Sequence, residues 1–302
     1  MAKKLSGKSF IWHHISALSE TDFEYLEKHF KFHPLDFDDL RDDTALPKLD
    51  VYKYYLFAVL AVPLYDAKLR RLSKLDLAVF IGPDYVVTVC REPIDSVDRF
   101  FARAKRSTGL RRDALGKSTG YFLYKLLDYV FRDAKVILHE LSREARQVEA
   151  DVYERQSRGT TAQLGIMKRN LLFLQHIIDP QRLLVHQFMT TRKKFIPSEL
   201  DLYFDDVKDT LDSTWVVTEN LKNIADSLFD VNEAILTHRT NQIIRWLTII
   251  SVVLMPPTLI TSYYGMNVAN LPFADSIGVV SGVILVSVIA FVLFVLWIDS
   301  RR

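Results

Sequence analysis

Two uninterrupted apolar runs close this 302-residue chain, Trp246 to Tyr264 and Ile277 to Ile298, and only a short loop separates them. At about 1.5 Å per residue, a helix of roughly twenty residues spans the hydrocarbon core of a bilayer. Two helices are therefore predicted to cross a membrane, at about 246–264 and 277–298. Arg239 and Arg245 precede the first run, Arg301 and Arg302 follow the second, and the loop between them carries no Lys or Arg. That asymmetry places both termini on the cytoplasmic side. Trp246 and Trp297 at the inner ends, and Tyr263 and Tyr264 at the outer end of the first run, sit where amphipathic rings meet headgroups.

Averages hide this division, because 25% charged residues and a net charge of +2 describe an ordinary soluble protein. Up to about residue 240 the chain is charged and amphipathic; beyond it, charge almost disappears. The basic start, Met1 to Lys8, is followed by no apolar stretch and reads as neither signal nor transit peptide. A lone cysteine, Cys90, allows neither an intramolecular disulfide nor a cysteine-based zinc site, and its apolar surroundings assign it to a core.

Three regions are expected. Residues 1–117 read as a cytoplasmic α/β domain. Asp22 to Phe32 has helical spacing, and Tyr54 to Val62, Leu75 to Ile81 and Tyr85 to Cys90 are short β-branched or aromatic runs, with Gly82-Pro83-Asp84 as a turn. Residues 118–240 read as a helical region. Tyr121 to Gln156 and Thr161 to Thr190 predict an antiparallel helix pair, and one further helix runs from about Ser198 through the first span. Residues 241–302 form the membrane domain. A helix of about 100 Å is not held by its own hydrogen bonds, so its apolar stripe must be covered by tertiary or subunit packing, and an oligomer is expected.

Along that helix Asn241, Ile244, Thr248, Ser251, Met255, Thr258 and Ser262 fall at alternating intervals of three and four and share one face. Most are small or polar, whereas the other faces are aliphatic. In hydrocarbon such a stripe points at a neighbouring helix or into a wet pore, and around a symmetry axis the two coincide. Ile244 with Leu247 forms the apolar turn nearest the inner mouth, which suits either a dewetting gate or subunit packing.

Tyr264-Gly265-Met266-Asn267 closes the first span, and this placement after a long cytoplasmic part resembles the CorA family of divalent-cation channels. Phe32-His33-Pro34-Leu35, Lys53-Tyr54-Tyr55 and Asp206-Val207-Lys208-Asp209 extend the resemblance over most of the chain. It implies a CorA-like funnel, a homopentamer in the plasma (inner) membrane, and inward flow of Mg2+ as transported and regulatory ion. Membrane potential alone would drive it, at about 2.3 kcal/mol per charge per 100 mV. Gly265, Met266 and Asn267 are then the selectivity filter. Magnesium sheds water reluctantly, and the neutral amide oxygen of Asn267 suits a hydrated ion that must also leave again.

The resemblance further implies a cytoplasmic magnesium sensor at Asp230, with Asp206 and Asp209 as a second acidic cluster. An ion bridging such carboxylates between subunits would close the pore when internal magnesium is high. Asp66 is the candidate partner of Asp230. For most carboxylates between Asp201 and Glu233 a solvated helix face is the simpler reading. The loop after the filter, Asn270-Leu271-Pro272-Phe273 with Asp275 as its one charge, departs from the acidic loop of many family members. This leaves Zn2+, Co2+ or Ni2+ open as alternative cargo.

No nucleic-acid partner and no catalytic cofactor are expected. An enzyme is not expected either, since His13-His14, His33 and His238 are scattered and no metalloprotease or nucleophile-elbow motif occurs. Gly116-Lys117-Ser118 resembles the end of a phosphate loop, but six residues separate Gly109 from Gly116 where the motif needs four. A membrane-anchored scaffold or sensor is the remaining class, and it differs from a channel in surviving loss of Asn267.

Overall fold

A computed structural model describes residues 2–42, 46–155, 159–191, 193–266, 272 and 276–300. The chain divides into two compact units, Met1–Phe229 and Asp230–Arg302.

The first unit is built on a six-stranded sheet of β1 (Lys3–Ser6), β2 (Ile11–Ile15), β3 (Lys48–Val51), β4 (Leu56–Asp66), β5 (Arg71–Ile81) and β6 (Tyr85–Cys90), in the order β1-β2-β6-β5-β4-β3. Only β2 and β6 are parallel. The apolar runs of β4, β5 and β6 are nearly continuous because both faces are covered. On one face Phe57, Val59, Ala78, Phe80, Val87 and Val89 pack beneath α1 (Glu20–His29) and α2 (Pro34–Arg41). The other face lies under α3 (Asp95–Arg106), α5 (Thr119–Ala150) and α6 (Thr160–Thr190), with α4 (Thr108–Leu115) joining α3 to α5. There Trp12 is fully buried among Phe100, Phe101 and Phe122, with ring centroids 4.8–5.4 Å away, and its indole N–H donates to Thr88 Oγ1 at 2.9 Å.

Sequence runs located β4, β5 and β6 but not the short, polar-lettered β1, β2 and β3. The helix expected through Gln156 leaves α geometry at Ala150 and passes through a wider π turn over Asp151–Arg155. From Asp201 to Tyr264 the chain forms one helix, α7, and Ile277–Ser300 forms α8. In the first unit α7 buries Phe204, Val207, Leu211, Thr214 and Thr218, again at intervals of three and four, and Phe204 stacks on Phe188 of α6 at 5.9 Å.

His13-His14 occupies the middle of β2 as structural imidazoles. His13 Nδ1 lies 2.8 Å from Tyr25 Oη, and burial, helped by Lys4, pushes its pKa down to about 4. His14 is lowered by burial against the opposing pull of Asp98, 3.2 Å from its Nε2. A histidine whose folded pKa is depressed is neutral when folded, so its share of stability is complete above the unfolded value near 6.5 and is lost as pH falls toward the folded one. The opening free energy of the β2 amides, read by hydrogen exchange, is expected to fall between pH 7 and pH 4, with a shallower fall for His13→Gln; parallel curves for the two proteins would refute the assignment.

Candidate functional site

The second unit contains the end of α7, α8 and the segment between them. Two helices carry apolar stretches long enough to cross a membrane, within Ser198–Tyr264 and over Ile277–Phe294, and neither stretch is buried inside the chain. A core helix of a soluble protein would be covered; these are solvated by lipid or by other copies.

Partial burial on the apolar stretch of α7 falls on Ile249, Val253, Pro256, Pro257, Ile260 and Tyr264, and on α8 on Val280, Ile284, Ser287, Val288 and Phe291. Both sets repeat at helical intervals, the pattern expected of two helices laid side by side. At 100° per residue, the stripe of Asn241, Ile244, Thr248, Ser251, Met255, Thr258 and Ser262 points roughly 150° away from the partly buried one. All seven residues are exposed. The polar face of α7 is therefore opposite its partly buried face.

This face is also grooved. Ser251, Met255, Thr258 and Ser262 line a shallow groove of about 560 Å³ with Val252, Leu254 and Leu259. The hydroxyls of Thr248, Ser251 and Thr258 donate to the carbonyls of Ile244, Leu247 and Leu254 at 2.8, 2.9 and 2.7 Å. Their protons are thus spent on their own helix, and what they present outward is oxygen lone pairs. Pro256 and Pro257 lie inside the helix, and their missing N–H groups deprive the carbonyls of Val252 and Val253 of helical donors. The stripe thus presents hydroxyl acceptors among apolar neighbours. Ile244 and Leu247 are both exposed, about one and two helical turns from Asn241.

The outer end of α7 is closed by backbone contacts. Gly265 N–H donates to Thr261 O at 2.9 Å, Met266 N–H to Tyr263 O at 3.4 Å, and Tyr264 Oη to Pro272 O at 3.0 Å. Gly265 does not adopt the left-handed conformation; a Cβ there would sit 3.1 Å from Thr261 O, so close approach to the last helical turn accounts for the glycine. Asn267, like Asn270, Leu271, Phe273 and Asp275, lies outside the described residues.

Among the acidic candidates, Asp230 is exposed at the start of the second unit, on the continuation of the polar face through Thr237 and Ala234. Asp206 and Asp209 are exposed in the first unit one helical turn apart. Between them Lys208 reaches the other way, to Asp212 at 2.9 Å. Asp66, at the end of β4, accepts backbone N–H bonds from Lys68 and Leu69 at 2.8 and 3.0 Å and so caps a turn.

One carboxylate cluster escaped sequence reasoning. Asp36, Asp39 and Asp50 come within reach of a common ion, but Lys48 Nζ already lies 2.6 Å from Asp39 and 2.9 Å from Asp50. Tyr52 and Tyr55 donate to Asp36 at 2.7 and 2.5 Å, and the N–H of His33 donates to Tyr55 Oη at 2.8 Å. The ammonium takes the place of a metal, and the cluster staples the His33-Pro34 turn to the Lys53-Tyr54-Tyr55 segment. The signal was present in those two segments, but nothing in either announces that they meet.

A mixed α/β unit continued by a helix of 64 residues, a second apolar helix and an acceptor-lined face define a membrane protein of the ion-conducting class. The chain belongs to the CorA-like Mg2+ transporter family, whose profile matches residues 7–302, and it is accordingly a divalent-cation transporter rather than an enzyme. It is 29% identical over 262 residues to the cobalt/magnesium transport protein CorA of Thermotoga maritima, covering 86% of this chain and 74% of that protein. The complete CorA magnesium transporter from Methanocaldococcus jannaschii superposes with a TM-score of 0.82 at 18% identity, over 97% of this chain and 92% of that one. The ZntB cytoplasmic domain from Vibrio parahaemolyticus superposes with a TM-score of 0.63 at 11% identity, over 76% and 89%.

Proposed function

We propose that this protein conducts Mg2+ into the cell through a homopentameric pore lined by the Asn241 to Ser262 face of α7, with both termini cytoplasmic. The observation that supports the reading is the opposition of two stripes on α7: one face is partly buried, and the face that carries the hydroxyls is exposed and free to line an axis. Gly265, Met266 and Asn267 form the outer filter. Gly265 ends the helix, Met266 packs behind the ring, and Asn267 supplies amide oxygens to the water shell of the ion. Ile244 and Leu247 narrow the inner mouth to an apolar constriction that blocks ions by losing its water. No coupling is needed, because the membrane potential favours inward movement of a dication by about 4.6 kcal/mol per 100 mV.

The test is flux of Mg2+, Co2+, Ni2+ and Zn2+ into proteoliposomes with and without an imposed negative interior. Uptake of Mg2+ that rises with potential and needs no pH gradient supports the channel. Uptake that follows a proton gradient instead would reject it. The Zn2+ alternative rests on superfamily likeness, and the same experiment ranks the ions.

Asp230 at the interface between subunits, with Asp206 and Asp209 as the second acidic cluster, makes the pore sensitive to internal Mg2+. Asp230→Ala is expected to raise the internal Mg2+ needed for half-inhibition by about tenfold, the loss of roughly 1.4 kcal/mol of ion binding. An unchanged inhibition curve would remove the sensor and leave the channel.

A further inference from the structure

The Gly116-Lys117 pair fails as a nucleotide-binding motif by spacing, yet the fold gives it a different setting. The tip of the β1–β2 hairpin packs against the junction between α4 and α5, and a cavity of about 530 Å³ opens between them. Ser6, Gly7, Lys8, Arg111, Arg112 and Lys117 line it. Thr108, Leu115 and Gly116 complete the lining, so four of the nine residues are cations and none is a carboxylate. We propose that this cavity binds a soluble oligophosphate, a ligand carrying two or three linked phosphates.

Three features carry the assignment. The frame is fixed: Lys8 N–H donates to Leu115 O at 3.1 Å, and Ser9 Oγ donates to Lys117 O at 2.7 Å. The two segments approach so closely at Gly7 that a Cβ there would lie 2.5 Å from Leu115 O. Arg111 is held by its Nε and Nη2, which donate to Ser6 O at 3.1 and 2.6 Å, and Lys117 Nζ sits 3.9 Å from the centre of the Tyr121 ring. Arg111 and Lys117 are therefore positioned before any ligand arrives, which lowers the ordering cost of binding.

The charge is only partly compensated: Lys117 interacts electrostatically with Asp113, without an ion pair. Among the described residues none of Lys8, Arg111, Arg112 and Lys117 forms an ion pair with a carboxylate. The nearest candidate in sequence, Asp113, is taken by Lys125 at 2.9 Å and by Tyr121 Oη at 3.2 Å. Lys125, first among its neighbours, holds the Asp113 carboxyl below the usual range. Like charges gathered with too little counter-charge repel, and an anion relieves them.

The ligand class follows from charge and shape. A terminal phosphate carries about −1.5 to −2 near neutral pH, so a di- or triphosphate brings about the four charges the cavity holds. Guanidinium forks and ammonium groups together suit phosphate oxygens, and the volume falls within the range of small-molecule sites. The cations come from segments about a hundred residues apart, Lys8 on one side and Arg111 to Lys117 on the other.

The experiment is a calorimetric titration of the full-length protein, in phosphatidylcholine nanodiscs and metal-free buffer with about 150 mM salt, with sodium pyrophosphate. ATP and inorganic phosphate serve as comparison ligands. Saturable pyrophosphate binding is expected, weakened about tenfold or more by Arg112→Ala with Lys117→Ala, because charge-assisted hydrogen bonds to phosphate oxygens are removed. Lys105→Ala with Arg106→Ala removes the same charge from the exposed end of α3 and is expected to leave binding within about twofold. Lys8→Ala alone tests the hairpin side, and its retained circular dichroism guards against misfolding. No saturation in the wild type, or equal weakening by both double variants, overturns the proposal. If anionic phosphatidylglycerol in the nanodisc competes pyrophosphate away, the occupant is a lipid headgroup and the soluble assignment fails.

Discussion

Trp12→Ala is expected to destabilise the first unit by about 3–5 kcal/mol, the range for deleting a large buried aromatic side chain. The indole is fully buried, touches Phe100, Phe101 and Phe122, and spends its N–H on Thr88 in β6, the strand with which β2 makes the sheet's one parallel pair. Removal leaves a cavity under α3 and α5, and Thr88 loses a donor while remaining buried. Because a two-unit membrane protein does not unfold in one reversible step, the readout is hydrogen exchange of the β2 and β6 amides in detergent, which reports their local opening free energy. Trp12→Phe keeps most of the volume and loses the hydrogen bond, so a smaller effect is expected. Trp246→Ala, at an exposed position in the second unit, is expected to leave the same amides unchanged. Protection in Trp12→Ala within about 1 kcal/mol of wild type would show that this face of the sheet is not packed as described.

What the sequence disclosed depended on how local each signal was. The spans and the continuity of α7 were legible because each is a property of one uninterrupted stretch, with no proline between Pro197 and Pro256. The polar stripe from Asn241 to Ser262 was legible for the same reason, since helical periodicity is fixed by the backbone. β1 and β3, by contrast, are four residues long and read Lys-Lys-Leu-Ser and Lys-Leu-Asp-Val, which no strand pattern distinguishes from a loop. They are strands because their neighbours offer hydrogen bonds. His13 and His14 looked like stray polar residues for the same reason; their partners, Tyr25, Thr88 and Asp98, lie 12, 74 and 84 residues away. The cavity between Lys8 and Lys117, and the Asp36 cluster braced by Lys48, are likewise products of tertiary contact.

Asn267→Ala is expected to abolish Mg2+ uptake in proteoliposomes, by well over tenfold, while leaving expression, folding and subunit number intact. Hydration of the ion decides this outcome. A dication that keeps its water shell is recognised through that shell, and its waters point hydrogens outward to acceptors. An alanine ring offers none, and each hydrogen bond to a charged group that disappears costs about 1.5–3 kcal/mol. In a symmetric pore every subunit gives up its acceptor at once. The change lies beyond the end of α7, whose final contacts, Gly265 to Thr261 and Tyr264 to Pro272, are made by other residues, so the helix itself is not the casualty. Asn267→Asp separates the two roles of the side chain. It restores acceptors and adds a ring of negative charge, which favours occupancy and slows departure, so binding is expected to persist with reduced flux. Full uptake in Asn267→Ala with the oligomer retained would mean that ions are selected elsewhere along α7, and the acceptor-lined groove at Ser251 to Ser262 would become the place to look.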